Sequence, residues 1–191
     1  MKKVPYLVTA LFGLAVAAAC TQAPPPPPPA AAAPVQSPVE RGKYIVSAGG
    51  CHDCHTPHKL GPNGPEPDMS RMLSGHPETM KVTKPAKLEA PWMAAAAMTM
   101  TAWSGPWGIS YTANLTPDEN TGLGIWTEEM FINALRTGKH MGTSRPILPP
   151  MPWQMIKNYT DDDLKAVFAY LRSIPPVTNH VPEPIPAEPK K

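Results

Sequence analysis

Proline decides where this chain can be regular: it supplies 28 of 191 residues, and Pro24 to Pro29 are consecutive. Proline fixes φ and has no backbone donor, so a run of it extends instead of joining a helix interior or a sheet ladder. Ala30 to Ala33 and Pro34 follow. Residues 21–37 are therefore read as a linker, whose seventeen residues at ~3.1 Å each reach roughly 50 Å. It acts either as a semi-rigid stalk or as a plain spacer. The fold is expected in residues 38–178, and residues 179–191 form a Pro-rich tail.

Residues 1–20 read as an export signal. Lys2 and Lys3 give the positive start, and Leu7 to Ala19 give an apolar stretch too short to span a bilayer comfortably. Ala17-Ala18-Ala19 leads into Cys20, which resembles the end of a bacterial lipobox, although Ala17 stands where Leu is usual. On that reading Cys20 carries acyl chains that anchor the protein to a membrane. The alternative is cleavage after Ala-x-Ala, with Cys20 incidental. The formal charge of +2 comes from the signal: without Lys2 and Lys3, 15 basic side chains face 15 acidic ones. No basic patch points to nucleic acid. With Cys20 lipidated, only Cys51 and Cys54 remain of three Cys. That leaves no disulfide framework and makes a cofactor the expected stabiliser.

Three helices are predicted. The first has Ser37 as cap, Pro38 at its first position and Glu40 completing a capping box, and stops at Gly49-Gly50. Gly42 is read as the point where this helix approaches the last one closely. The second begins at Thr127, buries Phe131, Ala134 and Leu135, and ends at Gly138. The third is capped by Thr160, carries Asp161 to Asp163 in its first turn, and places Leu164, Val167, Phe168 and Leu171 on one face before Pro175-Pro176. Residues 56–112 show no convincing strand pattern; Met93 to Met100 is the one short helix considered there. This stretch is read as an irregular lobe wrapped around something large.

Cys51-His52-Asp53-Cys54-His55 supplies the large object, since Cys-x-x-Cys-His is the signal for covalent c-type haem. Two intervening residues set the thiols about one helical turn apart, matching two vinyl groups on one porphyrin edge. His55 is then carried under the ring as proximal iron ligand. A structural zinc site needs four ligands, a thioredoxin-like pair sits on a βαβ unit, and a plain disulfide leaves His55 unexplained. For the sixth ligand Met151 stands out, because Pro149-Pro150 and Pro152 stiffen its backbone. Met155 is its nearest rival, and His140 is the least unlikely of His52, His58, His76, His140 and His180. Met69, Met72, Met80, Met93, Met98 and Met100 are too irregularly spaced for a copper site and read as packing.

These segments resemble the class I (monohaem) cytochrome c family. Arg41 to Val46 is similar to its N-terminal helix, and Met151-Pro152-Trp153 followed by Thr160 to Arg172 is similar to its methionine loop and C-terminal helix. Asn114-Leu115-Thr116-Pro117-Asp118 and Thr121 to Trp126 resemble cytochrome subunits of bacterial membrane-associated dehydrogenases. The resemblance covers residues 38–178 and implies an all-α fold around one covalent haem, with 56–112 as a long irregular insertion. It implies Met151 as distal ligand, a Pro carbonyl (Pro62, Pro65 or Pro67) as acceptor for the second ring nitrogen of His55, and Trp126 on the propionate side. Asn114 or Arg136 would assist Trp126. Two departures stand out: the lobe is longer than in small class I proteins, and those subunits often carry three haems where this chain has one motif.

The function so implied is electron carriage, not catalysis. An exported, membrane-anchored cytochrome would pass single electrons from a dehydrogenase or membrane complex to another cytochrome or an oxidase. The alternatives are a haem enzyme of the peroxidase or thiosulfate-oxidising type, or a structural haem subunit of a larger complex.

Overall fold

The computed structural model describes residues 36–187. The expected signal, Cys20 and nearly all of the linker lie outside the described residues. Among the described residues, no helix is long and apolar enough to cross a membrane.

Local capping chemistry builds the helical frame. In α1 (Pro38–Ala48), the Ser37 hydroxyl accepts from the Glu40 backbone N–H at 3.2 Å, and the Glu40 carboxylate accepts from the Ser37 N–H at 2.9 Å. This satisfies two donors that a helix start otherwise leaves open. α2 (Cys51–His55) follows after two residues. α3 (Glu128–Thr137) is capped by Thr127 and closed by Gly138 at φ 68°. After the short α4 (Trp153–Ile156) comes α5 (Asp161–Ser173), capped by Thr160. α1 lies directly against α5. A Cβ at Gly42 would sit 1.9 Å from the Ala166 carbonyl oxygen, so this crossing exists only because Gly42 has none. Ile45 and Val46 then join Leu164, Val167, Phe168 and Leu171 in one core with Leu73, Leu123, Phe131 and Leu135.

The chain is not all-α. Two antiparallel sheets are built on the stretch expected to be irregular, the second completed by a strand from beyond α5. β1 (His58–Gly61) pairs with β2 (Gly64–Pro67). A second sheet has the order β3 (Ala95–Ala96), β4 (Ala102–Gly105), β5 (Gly108–Tyr111) and β6 (Ile185–Pro186). These strands have four residues or fewer, too short to display a two-residue period. β2 also holds Pro65 and Pro67, residues that argue against a strand except at an edge. The Met93 to Met100 segment contains β3 and turns, not a helix. The Pro-rich stretch after α5 is tied in, since Ile185 pairs with Ile109 of β5.

Candidate cofactor site

α2 presents its three chemical groups within five residues. Cys51 and Cys54 are free thiols, not joined to each other, and both are half-buried. Burial pushes the Cys51 thiol up to about 11 and raises Cys54 as well, so both stay neutral and apolar in character. Cys51 packs against the hydrophobic core.

His55 is buried, and its Nδ1 lies 2.8 Å from the Ala113 carbonyl oxygen. A carbonyl can only accept, so Nδ1 carries the proton and Nε2 keeps its lone pair. Burial is the main cause that lowers the His55 pKa, which favours the neutral ring. Among the described residues only Nδ1 of this ring is hydrogen-bonded. The expected acceptor, a carbonyl of Pro62, Pro65 or Pro67, is not the one found. Pro62 lies in the β1–β2 loop and Pro65 and Pro67 in β2, and the acceptor instead comes from 58 residues downstream.

Ala113 reaches His55 because β5 delivers it. Just past the strand, the Thr112 N–H donates to the Thr101 carbonyl and the Thr112 carbonyl accepts from the His76 N–H. Next to His76, the Gly75 N–H donates to the His55 carbonyl at 2.8 Å. Gly75 has φ 76°, and a Cβ there would lie 2.7 Å from the Ala113 oxygen. The close approach therefore requires glycine. No local sequence signal singles out Gly75 or Ala113.

The same strand supports the Met151 loop. Ser110 of β5 donates its hydroxyl to the Pro149 carbonyl, two residues before Met151. Met151 is half-buried and packs against the core that Cys51, Met72, Leu115 and Trp126 also line. Its rival Met155 is 57% exposed. Trp126 is half-buried, with His140 edge-on at 5.1 Å between ring centroids. Asn114 is engaged within the fold, donating to the Val177 carbonyl at 2.8 Å, and Arg136 pairs with Asp161 and the Lys157 carbonyl. Neither expected helper of Trp126 is uncommitted. His52 faces Thr56 at 3.0 Å, and His76 is bonded at both ring nitrogens.

Two neutral thiols one turn apart, beside a buried imidazole whose proton is fixed on the far nitrogen, suit a thioether-linked haem with iron at Nε2. They suit zinc poorly: among the described residues no cluster of three or more His, Cys, Asp or Glu forms.

No protein-family model matches the chain. It is 30% identical over 144 residues, 75% of its length, to a subunit of the nicotinate dehydrogenase of Pseudomonas putida. It is 29% identical over 133 residues, 70% of its length, to the fructose dehydrogenase cytochrome subunit of Gluconobacter japonicus. The cytochrome c subunit of alcohol dehydrogenase (quinone) from Gluconobacter oxydans is 27% identical over 140 residues, 73% of the chain. The chain spans only 9%, 20% and 22% of these relatives' own lengths. With the Cys51–His55 helix and its carbonyl-held histidine, this similarity makes the chain a relative of the cytochrome c subunits of bacterial dehydrogenases.

Proposed function

We propose that this chain is a monohaem c-type cytochrome that carries single electrons on the periplasmic side of a bacterial membrane. The reading rests on one observation above others: His55 is buried, neutral and committed through Nδ1 to the Ala113 carbonyl, one residue from a free thiol and four from another. Cys51 and Cys54 would hold the haem by thioethers, His55 and Met151 would ligate its iron, and Trp126 would serve its propionates. When bound, the haem supplies a one-electron iron couple.

The protein's own part is to orient the ligand and to line the haem. Ala113 fixes the proton of His55, and the partly buried Cys51, Met72, Leu115 and Met151 would give the haem an apolar lining continuous with the core. The thioether of Met151 favours the reduced metal and raises the potential, which suits an acceptor late in a chain. With both His55 and Met151 bound to it, the iron would have no place left for a substrate, which suits a carrier. The relatives' names support a dehydrogenase as electron donor, with another cytochrome or an oxidase as acceptor. Cys20 carries the lipid that keeps the carrier at the membrane.

Near-infrared spectroscopy and CO binding test this assignment. The ferric protein is expected to show a methionine–iron charge-transfer band that Met151→Ala abolishes, and ferrous wild type is expected to resist CO. A band surviving in Met151→Ala removes Met151 from the iron. Rapid CO binding by the wild type overturns the carrier assignment in favour of a haem enzyme.

A further inference from the structure

Asn179 lies beyond α5, in a stretch whose sequence carries no site signal, yet it is 1% exposed. Its amide is fully used. Nδ2 donates to the Ser74 carbonyl at 2.7 Å and to the His76 carbonyl at 2.9 Å. Oδ1 accepts from the Glu78 N–H at 3.0 Å and from the Arg71 guanidinium at 3.2 Å. Its backbone N–H donates to the Thr121 hydroxyl at 3.0 Å, and the same hydroxyl accepts from Asn114 at 3.1 Å.

The two carbonyls held by Asn179 flank Gly75. Gly75 donates to the His55 carbonyl and packs on Ala113, while His76 donates to the Thr112 carbonyl. On the other side, Asn114 follows Ala113 directly and is bonded to the Val177 carbonyl, two residues before Asn179. Segments 74–76 and 112–114 are thus both fastened to the strand of chain around Asn179, and His55 lies bonded to each of them.

We propose that Asn179 is a positioning residue for His55: it fixes the Ala113 carbonyl that accepts from Nδ1 and thereby sets the electron density at Nε2. The proposal rests on the haem reading and deepens it. A firm acceptor at Nδ1 raises the basicity of an iron-bound imidazole and favours ferric iron. Loss of the clamp weakens that acceptor and favours ferrous iron, so the midpoint potential rises.

Redox titration of the purified haem-loaded protein, with NMR exchange of the His55 Nδ1 proton, tests this. Asn179→Ala is expected to raise the ferrous-to-ferric ratio at fixed ambient potential by up to about tenfold, equivalent to about 59 mV for one electron, and to speed Nδ1 proton exchange. Thr160→Ala, which weakens α5 at its cap away from this network, serves as the stability control and is expected to leave both unchanged. If Asn179→Ala does not mature, Asn114→Ser removes the bonds to Val177 and Thr121 and is expected to shift both readouts in the same direction. An unchanged potential and exchange rate in a folded variant overturn the proposal, as does an equal shift in the control. A wild type without a c-type spectrum overturns the haem reading itself, before any variant is compared.

Discussion

A histidine meant to hold a metal must be neutral and must face one way, and His55 meets both demands through its surroundings. Burial disfavours the charged ring, and the Ala113 carbonyl selects the tautomer. Gly75 makes that contact possible, because any side chain there meets backbone. Gly75→Ala is expected to lower stability by about 2 kcal/mol, combining positive-φ strain with the clash. Gly64→Ala separates the two effects, since Gly64 has φ 118° but nothing within 4 Å of an added Cβ. Urea unfolding of the haem-loaded variants checks this. The expected result is a larger midpoint drop for Gly75→Ala; an equal drop assigns the whole effect to backbone strain. None of this is legible in the sequence. The acceptor is a backbone carbonyl, which any residue type supplies, and its partner is 58 residues away. Cys51, Cys54 and His55 are legible because five adjacent residues carry the whole pattern.

At the scale of elements, the α1–α5 crossing carries the frame. Gly42→Ala drives a methyl into the Ala166 carbonyl and is expected to destabilise the protein by roughly 3 kcal/mol, read as a lower urea midpoint with an unchanged slope. Arg41 ties the same two helices, its guanidinium 2.9 Å from the Asp163 carboxylate. The Arg41 hydrogen bond is the chief cause that holds Asp163 below the usual carboxylate range. A depressed folded value means this stabilisation is full above the unfolded carboxylate pKa of about 3.9 and fades as pH falls through the folded value. The pair is partly exposed, so its worth is under about 1 kcal/mol. Thermal melts of wild type and Asp163→Asn are expected to differ at pH 7 and converge toward pH 3. A gap independent of pH excludes the ion pair as its cause. The helices are readable because caps and terminal glycines act over a few residues. The sheets are not, because strands of two to four residues are too short to show a two-residue period, even where β1–β2 and β4–β5 pair locally, and β6 joins β5 from 76 residues onward.

Across the whole molecule, β5 is the member that both candidate axial ligands share. Ser110 on it holds the loop of Met151, and Ala113 just beyond it holds His55. The stretch expected to be an irregular wrapping thus holds a sheet that braces both candidate ligands, and the chain after α5 joins it through β6. A carrier profits from such bracing, because an iron whose ligands stay put changes charge with little rearrangement. All of this presupposes porphyrin bonded to the two sulfurs of α2. Acid–acetone extraction of the purified, exported protein, followed by the mass of the polypeptide, tests that most directly. The colour is expected to stay with the chain, and the chain to be heavier by one haem. Colour that passes into the acetone, or a chain of unmodified mass, contradicts the account.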